Sequence, residues 1–315
     1  MKETKFGILI ATRNRLLSLH KLVDSITKLV DKPELIVISY SGENPYEKIK
    51  EFEHLLRIIC IENRKPGQVL QKKIGLKYFG KDVDWIMFCD DDLVLDPNCI
   101  SIMFNVISQH KNFTAIGGAG FSLGQQTRNK QSIFEKYVRH IFNMSVFPPG
   151  IVRSNGYNTN YIYESSIIET VWLNSASIWR RDIAKSYDVH LEDVTHALGE
   201  DLIFSYGVSR NHTLIYNPYS CIQLQDNSNS KISDSQLRFE QLYHGLYFVL
   251  LFKHLSRLGY LWICFGKTVK FLIIGIMKNI GFRSDISNFI DVFKIIATNK
   301  SAQYVLDYRI RNMRR

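Results

Sequence analysis

Short apolar runs alternate with longer amphipathic segments along residues 5–90. The short runs predict buried strands at four places, 5–12, 34–39, 57–62 and 84–90. Between them apolar residues recur every three or four positions, which predicts helices over 16–30, 46–56 and 68–80. Strands that alternate with helices in this way form a largely parallel sheet with helices on its faces, so we expect an α/β fold.

Polar and charged segments follow each predicted strand. Ligands of such sheets bind at the carboxyl ends of the strands, so we expect these segments to converge on one cleft. Four basic side chains in these segments are suited to a phosphate-bearing ligand: Arg13, Arg15, Arg64 and Lys65.

Three adjacent carboxylates, Asp90, Asp91 and Asp92, end the strand predicted over 84–90. Adjacent carboxylates raise one another's pKa and destabilise a fold unless a positive charge lies between them. If the strand continues, Asp90 and Asp92 share one face and Asp91 points to the other. Such a D-x-D pair suits Mg²⁺ or Mn²⁺, which also take oxygens from substrate phosphates. The alternative is a solvated acidic turn, since residues 96–98 carry a turn or helix-start signal.

A second acidic pair, Glu200 and Asp201, lies in the segment 196–210. Its apolar residues recur at four-residue spacing, so the two acids occupy the first turn of a predicted helix. Acids at this position are candidates for proton transfer. The alternative is that they only stabilise the helix dipole, with no part in catalysis.

A glycine-rich segment, residues 117–120, lies in the less regular middle of the chain. No helical pattern follows it, which argues against a phosphate-binding loop. We therefore expect a passage from a strand into a loop.

The composition is that of a folded protein. With 315 residues, 45% of them hydrophobic, the chain can bury a large core, as one domain or as a domain with an appendage. The five cysteines are scattered without a C-x-x-C pair, which predicts neither a disulfide framework nor a zinc site and favours a reducing cytosol. The apolar run at residues 6–11 is too short for a signal peptide and is expected to be the first strand.

The positive charge is concentrated in the C-terminal part of the chain. The net charge is +10, and residues 235–315 carry 13 Lys and Arg against 4 Asp and Glu, whereas residues 1–234 carry 27 against 26. Such an asymmetry indicates an anionic surface as the neighbour of this part, either lipid headgroups or nucleic acid.

The basic part contains a segment rich in large apolar residues, 245–280. Too many charges interrupt it for a membrane-spanning helix. On one continuous helix its basic residues share a face: Lys253, Arg257, Lys267, Lys270 and Lys278. This pattern predicts a helix that lies on an anionic membrane through residues 245–315. The alternative is ordinary packing of one or two helices with the lysines facing water, which three glycines in the segment would favour.

The order and spacing of five segments resemble the bacterial family 2 glycosyltransferases, enzymes of the GT-A fold. The segments are "ILIATRNR", "GQVLQKKIGLKY", "FCDDDLVLDP", "WLNSASIWRRDI" and "GEDLIFSYGVSR", and together the resemblance covers residues 4–226. It implies a GT-A catalytic domain over 1–234 with a Rossmann-like, mixed and largely parallel sheet. The nucleotide-sugar-binding half would be 1–120 and the acceptor half 121–234, followed by a helical tail at 235–315.

The resemblance also implies roles for individual residues. Asp201 would be the catalytic base with Glu200 beside it, and Asp90 and Asp92 would hold Mg²⁺ or Mn²⁺, with His212 as a further ligand. The nucleotide-sugar pocket would be lined by Thr12, Arg13, Glu43, Lys72, Asp90 and Asp91. His212 fits a strand with a surface histidine equally well. The second strand ends in "ISYSGE" without the aspartate that many relatives place there, which leaves the base of the donor open.

By this resemblance the protein is an inverting, metal-dependent hexosyltransferase that moves a sugar from a nucleotide-diphosphate donor to a glycan or polyprenyl-linked acceptor. We expect it to act in surface polysaccharide synthesis, attached peripherally to the cytoplasmic side of the cell membrane. Two alternatives are a nucleotidyltransferase of related fold and a catalytically inactive membrane-bound scaffold with a GT-A-like fold. A nucleic-acid partner is not expected, because the charges of the tail alternate with long aliphatic residues and form no recognised motif.

Overall fold

The chain folds into two compact units. A computed structural model describes residues 4–110, 113–124, 133–145, 147–194, 197–225, 233–278 and 283–313. The first unit comprises Met1–Thr127 and Tyr161–Asn227, and the second comprises Arg128–Asn160 and Ser228–Arg315. The boundary differs from the predicted division at residue 234, because residues 128–160 belong to the second unit.

The first unit is built on a nine-stranded sheet. Its strands are β1 (Phe6–Arg13), β2 (Leu35–Ser41), β3 (Ile58–Glu62), β4 (Trp85–Asp90), β5 (Leu93–Leu95), β6 (Ile116–Ser122), β7 (Ile168–Thr170), β8 (Ser177–Arg180) and β9 (Thr213–Leu224). The order across the sheet is β3-β2-β1-β4-β8-β6-β9-β5, and β7 pairs with β9. β1, β2, β3 and β4 are parallel to one another, whereas β8 is antiparallel to both β4 and β6.

Helices connect and cover these strands. They are α1 (Leu16–Thr27), α2 (Tyr46–Ile49), α3 (Gln68–Leu76), α4 (Cys99–Gln109), α5 (Ile133–Ile141), α6 (Arg181–Lys185), α7 (Glu200–Val208), α8 (Asp234–Leu251), α9 (Arg257–Lys278), α10 (Arg283–Ala297) and α11 (Ala302–Met313). Of these, α5 and α8 to α11 belong to the second unit.

The predicted α/β pattern over residues 5–90 is confirmed, with element ends that differ by a few residues. The helix predicted over 46–56 is much shorter, since α2 ends at Ile49 and one turn of 3₁₀ helix follows. The glycine-rich segment 117–120 is not a passage into a loop but the centre of the buried strand β6. Glycine is required there because a Cβ at Gly118 would lie 2.4 Å from the ring of Trp179.

Buried apolar side chains fix the sheet between its helices. On one face β1 and β2 pack with α1 in a core cluster that includes Ile8, Ile10, Ile36, Ile38, Leu22 and Ile26. On the other face α3 approaches closely, because Gly75 has no side chain and a Cβ there would lie 2.4 Å from Leu9. This packing places the first turn of α3, which follows β3, at the edge of the sheet where the parallel strands end.

The second unit is helical. The ring of Phe142, just after α5, lies 5.1 Å from that of Trp262 on α9, and a Cβ at Gly266 would collide with Phe142. This contact explains why residues 128–160 join the C-terminal helices. In the same unit the guanidinium of Arg309 on α11 is fully buried and donates from Nε to Glu240 Oε2 over 2.6 Å.

The continuous helix expected over residues 245–280 is interrupted. α8 ends at Leu251, α9 begins at Arg257, and Lys253 lies in the turn between them. The basic residues of the tail therefore do not form a single stripe on one helix. Within the part of the chain that the structure describes, no helix has the length and apolar character needed to cross a membrane.

Candidate active site

The carboxyl ends of β1, β2, β3 and β4 lie along one edge of the sheet. Asp90 is the last residue of β4 and pairs in register with Ala11 of β1. Because β8 is antiparallel to β4, the loop before β8 reaches the same edge. The convergence of loops expected from the sequence is therefore present here.

The aspartates divide into two environments because the strand ends at Asp90. Asp91 is only 5% exposed and accepts hydrogen bonds from Thr12 Oγ1 over 2.6 Å and from Arg15 Nη1 over 2.9 Å. The same Nη1 lies 3.0 Å from Asp92 Oδ2. Burial raises the pKa of Asp91, although the bonds from Thr12 and Arg15 oppose it. Asp91 thus joins β4 to β1 through Thr12. The nucleotide contacts of Asp91 and Thr12 stay predictions.

Asp90 is partly buried and faces the start of α3. Its Oδ1 accepts a hydrogen bond from Gln68 Nε2 over 3.2 Å. Gln68 is the first residue of α3, so the helix that follows β3 helps to orient the carboxylate that ends β4.

A buried ion pair connects α3 with α7. Lys72 is 1% exposed, Glu200 is 3% exposed, and Lys72 Nζ contacts Glu200 Oε1. The hydroxyl of Tyr187 donates to the other oxygen of Glu200, and Lys72 Nζ lies 5.3 Å from the centre of the Phe88 ring. The pair therefore holds the first turn of α7 against α3. The nucleotide contact of Lys72 and the catalytic role of Glu200 stay predictions.

Asp201 lies next to this pair in the first turn of α7, as the sequence predicts. Its Oδ1 accepts the N–H of Leu202 over 2.8 Å. Burial raises the pKa of Asp201 to about 7, and the negative charges of Glu200 and Asp90 add to the effect, whereas Leu202 N–H and Lys72 oppose it.

Contacts of α3 place both acidic segments in one region, because Gln68 bonds Asp90 and Lys72, one turn further along, contacts Glu200. Burial alone would lower the pKa of Lys72, but the charges of Glu200, Asp90 and Asp201 raise it. One ammonium group thus acts on carboxylates that are more than a hundred residues apart in sequence. The structure brings Asp90 and Asp201 together as expected.

Two further predicted residues lie at the same edge with exposed side chains. Arg13 is the last residue of β1, and Glu43 lies in the loop after β2. The N–H of Glu43 donates to Asn14 Oδ1 over 2.9 Å, so this bond joins the loops that follow β1 and β2. Both positions are compatible with contact to a ligand.

His212 lies at the opposite edge. β6 and β9 are parallel, and the antiparallel pairing of β8 with β4 and β6 makes β4 run in the same direction as both. His212 precedes the first residue of β9, whereas Asp90 is the last residue of β4. A strand of this length separates the two edges by about 17 to 20 Å. His212 is therefore not a ligand of an ion held by Asp90 and Asp92.

Sequence reasoning missed two of the side chains that organise the site. Tyr187, which bonds Glu200, gives no signal as a single aromatic residue. Gln68, which bonds Asp90, stands at the first position after a glycine, but its partner is apparent only once α3 is placed. Lys65, grouped above with phosphate-binding cations, pairs with Asp193. Arg15 was also in that group, but its role is to neutralise Asp91 and Asp92.

The acidic residues suit a metal that is shared with a substrate. Among the residues described, no three His, Cys, Asp or Glu side chains are grouped so that they could hold a metal ion. Mg²⁺ and similar ions are often bound through one or two carboxylates together with substrate phosphates and water. Asp90 and Asp92 offer hard oxygens of this kind at one strand end, so their chemistry fits such an ion.

A mixed, largely parallel sheet with an acidic strand end and an acidic helix start is the arrangement expected for a GT-A glycosyltransferase. The sequence matches the family model described as Glycosyl transferase family 2 over residues 7–172, and the chain belongs to that family. The predicted resemblance is thus confirmed, and the family decides between the two enzyme classes considered from the sequence in favour of glycosyl transfer. In a search of curated proteins no sequence matched significantly.

Solved structures share the fold at low sequence identity. The chain is similar to S. aureus TarS 1–349, with a TM-score of 0.52, 14% identity and coverage of 98% of this chain and 89% of that chain. The complex of the same protein with UDP-GlcNAc gives a TM-score of 0.57, 13% identity, and coverage of 92% and 79%. The mannosyltransferase PcManGT from Pyrobaculum calidifontis in complex with GDP-Man and Mn²⁺ gives 0.53, 10% identity, and coverage of 98% and 80%.

Removing the cation of the buried pair should destabilise the fold strongly. We expect Lys72→Met to lower the free energy of unfolding by about 3 to 5 kcal/mol, because Glu200 is left buried without its counter-ion. Urea denaturation measures this loss. The double variant Lys72→Met/Glu200→Gln should recover part of it, since the uncompensated charge is then gone.

The adjacent Lys73 provides a matched control. Its pair with Glu192 is partly exposed, so Lys73→Met should cost less than about 1 kcal/mol. Equal losses for Lys72→Met and Lys73→Met would contradict the role assigned to the buried pair.

Proposed function

We propose that the protein is an inverting glycosyltransferase that transfers a sugar from a nucleotide-diphosphate donor to an acceptor hydroxyl group, with Asp201 as the base. The observation that carries this proposal is the meeting of Asp90 and Asp201 beside Lys72, with the pKa of Asp201 raised to about 7. A base is most effective when its pKa lies near the working pH.

The nature of the donor is supported by the relatives of the fold. One similar structure holds UDP-GlcNAc and another holds GDP-Man with Mn²⁺. For this chain we propose a nucleotide-sugar donor at the carboxyl edge of β1, β2 and β4, where Arg13 and Glu43 are exposed. The base and the sugar of the donor are left open by these residues.

The proposed reaction is a single displacement. The acceptor oxygen attacks C1 of the sugar and gives its proton to the carboxylate of Asp201. The bond between C1 and the phosphate oxygen breaks, and the nucleoside diphosphate leaves with the bonding electrons. Attack from the face opposite to the leaving group inverts the configuration at C1. Mg²⁺ or Mn²⁺ held by Asp90 and Asp92 would neutralise charge on the departing diphosphate. Glu200 and Lys72 keep Asp201 in place.

Replacement of the base tests the proposal. We expect Asp201→Asn to lower kcat by about 10² to 10⁴-fold while the Kd for the nucleoside diphosphate stays the same, since the base acts only on the acceptor. For the wild type, kcat/KM should rise with pH around a midpoint of about 7, because Asp201 is active only when deprotonated. Product formation from radiolabelled donors measures both.

The exposed Asp188 gives a matched control, and Asp188→Asn should retain wild-type kcat and pH profile. An Asp201→Asn variant with wild-type turnover, or a wild-type rate that does not change between about pH 6 and 8, would remove Asp201 from the role of base.

The proposed metal site predicts metal-dependent nucleotide binding. A ligand that binds only the folded state raises its stability by RT ln(1 + [L]/Kd), so the correct nucleotide should raise Tm more with Mn²⁺ than without it. A thermal-shift panel of UDP, GDP, dTDP and CMP identifies the base. Asp92→Asn should abolish the Mn²⁺-dependent increment, whereas Asp96→Asn, in the exposed turn that follows, should leave it unchanged. Equal increments in both variants would contradict a metal at Asp92.

We propose in addition that the second unit attaches the enzyme to the cytoplasmic face of an anionic membrane, where it would act on a glycan or polyprenyl-linked acceptor of surface polysaccharide synthesis. Two features support this. Residues 235–315 carry the excess of basic side chains noted above. On α9 and α10 exposed apolar residues recur at helical spacing: Leu258, Trp262, Phe265, Ile286, Ile290 and Phe293.

Replacement of two exposed apolar residues on α10 by acids tests this attachment. Wild-type protein should sediment with vesicles that contain phosphatidylglycerol, and Ile290→Glu/Phe293→Glu should stay in the supernatant, because two acids would have to enter an apolar and anionic interface. Ser287→Glu, at an exposed polar position of the same helix, adds charge without removing apolar surface and should lose less binding. Equal sedimentation of wild type and the double variant would contradict the proposal.

A further inference from the structure

The second unit contains a small pocket between α8, α9 and α10, with charged residues in a largely apolar lining. Its cavity volume is about 20 Å³. This is more than the roughly 10 to 15 Å³ that one water molecule needs, so the pocket suits a small group and not a nucleotide. The residues that matter for its chemistry are Arg238, Lys267, Asp285 and Asn288, with Phe271 beside them.

The pocket contains two cationic side chains and one carboxylate. Arg238 Nε donates to Asp285 Oδ1 over 2.9 Å, and the guanidinium carbon lies 5.1 Å from the centre of the Phe271 ring. Asp285 is buried and is engaged by Arg238. Within the described chain no carboxylate forms an ion pair with Lys267. The lining of the pocket therefore carries one positive charge in excess.

Lys267 is not the solvent-facing residue that a lysine stripe would require. Burial lowers the pKa of Lys267, which means that its ammonium form is poorly solvated where it stands. A buried charge without a partner is costly unless a ligand of opposite sign compensates it. An anion in the pocket would remove this cost.

The positive potential of this region extends to a neighbouring histidine. The pKa of His244 on α8 is lowered to about 3, first by burial and then by the charges of Arg309 and Lys267. His244 is therefore neutral at physiological pH and does not add a proton to the pocket. Arg309 is already paired with Glu240, so the excess charge resides on Lys267.

We propose that this pocket binds a phosphate group, held by the ammonium of Lys267, the guanidinium of Arg238 and the side-chain amide of Asn288. The guanidinium has five N–H donors, and its bond to Asp285 uses Nε, so further donors can serve an anion. Two cations and an amide offer more hydrogen-bond donors than the two oxygens of a carboxylate ligand can use, whereas a phosphate has enough acceptor oxygens for them. The group belongs either to free phosphate or to a phospholipid headgroup. All of its contacts lie in the second unit, whereas Asp90 and Asp201 belong to the first.

Thermal stability of the full chain tests free phosphate. In metal-free buffer at constant ionic strength, about 20 mM orthophosphate should raise the Tm of the wild type by about 2 to 4 °C relative to chloride. Lys267→Met should lose this rise, and Asn288→Ala should reduce it. Lys270→Met, at an exposed lysine of the same helix, should keep it. In chloride alone the Tm of Lys267→Met should equal or exceed that of the wild type, because a poorly solvated charge has been removed.

Vesicle binding distinguishes the second source. If a lipid headgroup is the ligand, orthophosphate has little effect, and Lys267→Met sediments several-fold less with phosphatidylglycerol vesicles than Lys270→Met does. A Lys267-dependent response in either arm supports the pocket and identifies its source. Should Lys267→Met fail to fold, Asn288→Ala against wild type provides the same comparison. The proposal is overturned if Lys267→Met and Asn288→Ala respond to orthophosphate and bind vesicles as strongly as Lys270→Met does.

Discussion

The buried contact between Lys72 and Glu200 is the interaction on which the candidate site depends. Taking an ammonium and a carboxylate out of water is costly, and their attraction offsets this only when their remaining hydrogen-bonding capacity is also used. Here the hydroxyl of Tyr187 satisfies the second oxygen of Glu200, and the ring of Phe88 lies near Lys72. The pair fixes the first turn of α7 against α3. Asp201, one residue further along, is held at the edge of the sheet as a consequence.

Two cations divide the acidic residues of the site between them. Arg15 neutralises Asp91 and Asp92, whereas Lys72 is shared by the second acidic group, Glu200, Asp90 and Asp201. Lys72 contacts Glu200 directly, so its positive charge stabilises the carboxylate of Asp201 only from a greater distance. Burial and the charges of Glu200 and Asp90 therefore prevail and raise the pKa of Asp201 to about 7. The raised pKa of Asp201 depends on this unequal distribution, because direct pairing of Lys72 with Asp201 would stabilise the carboxylate of Asp201 and lower its pKa.

The sequence pattern alone predicts secondary structure correctly where residues close in sequence determine it. The strands up to β4 and the start of α7 follow from periodicity and helix-start signals. Long-range packing decided the rest. In β6 the ring of Trp179 occupies the space where a Cβ of Gly118 would lie. Residues 128–160 belong to the second unit because Phe142 packs against Trp262. The local pattern at His212 predicts only the start of a strand. The direction of β9 relative to β4 shows that His212 lies at the edge of the sheet opposite to Asp90, where it cannot bind the same metal ion.

The same kind of pairing occurs at the site and in the second unit: among the described residues, three buried or half-buried cations have carboxylate partners. Lys72 is paired with Glu200, Arg309 with Glu240, and Arg238 with Asp285. Each pair joins two helices, so the charges contribute to the arrangement of the fold as well as to its chemistry. Among the described residues Lys267 departs from this pattern, since burial lowers its pKa and the carboxylate nearest to it in the pocket lining is engaged by Arg238. The departure occurs where a pocket admits solvent, which is the place where an anion from outside can supply the missing charge.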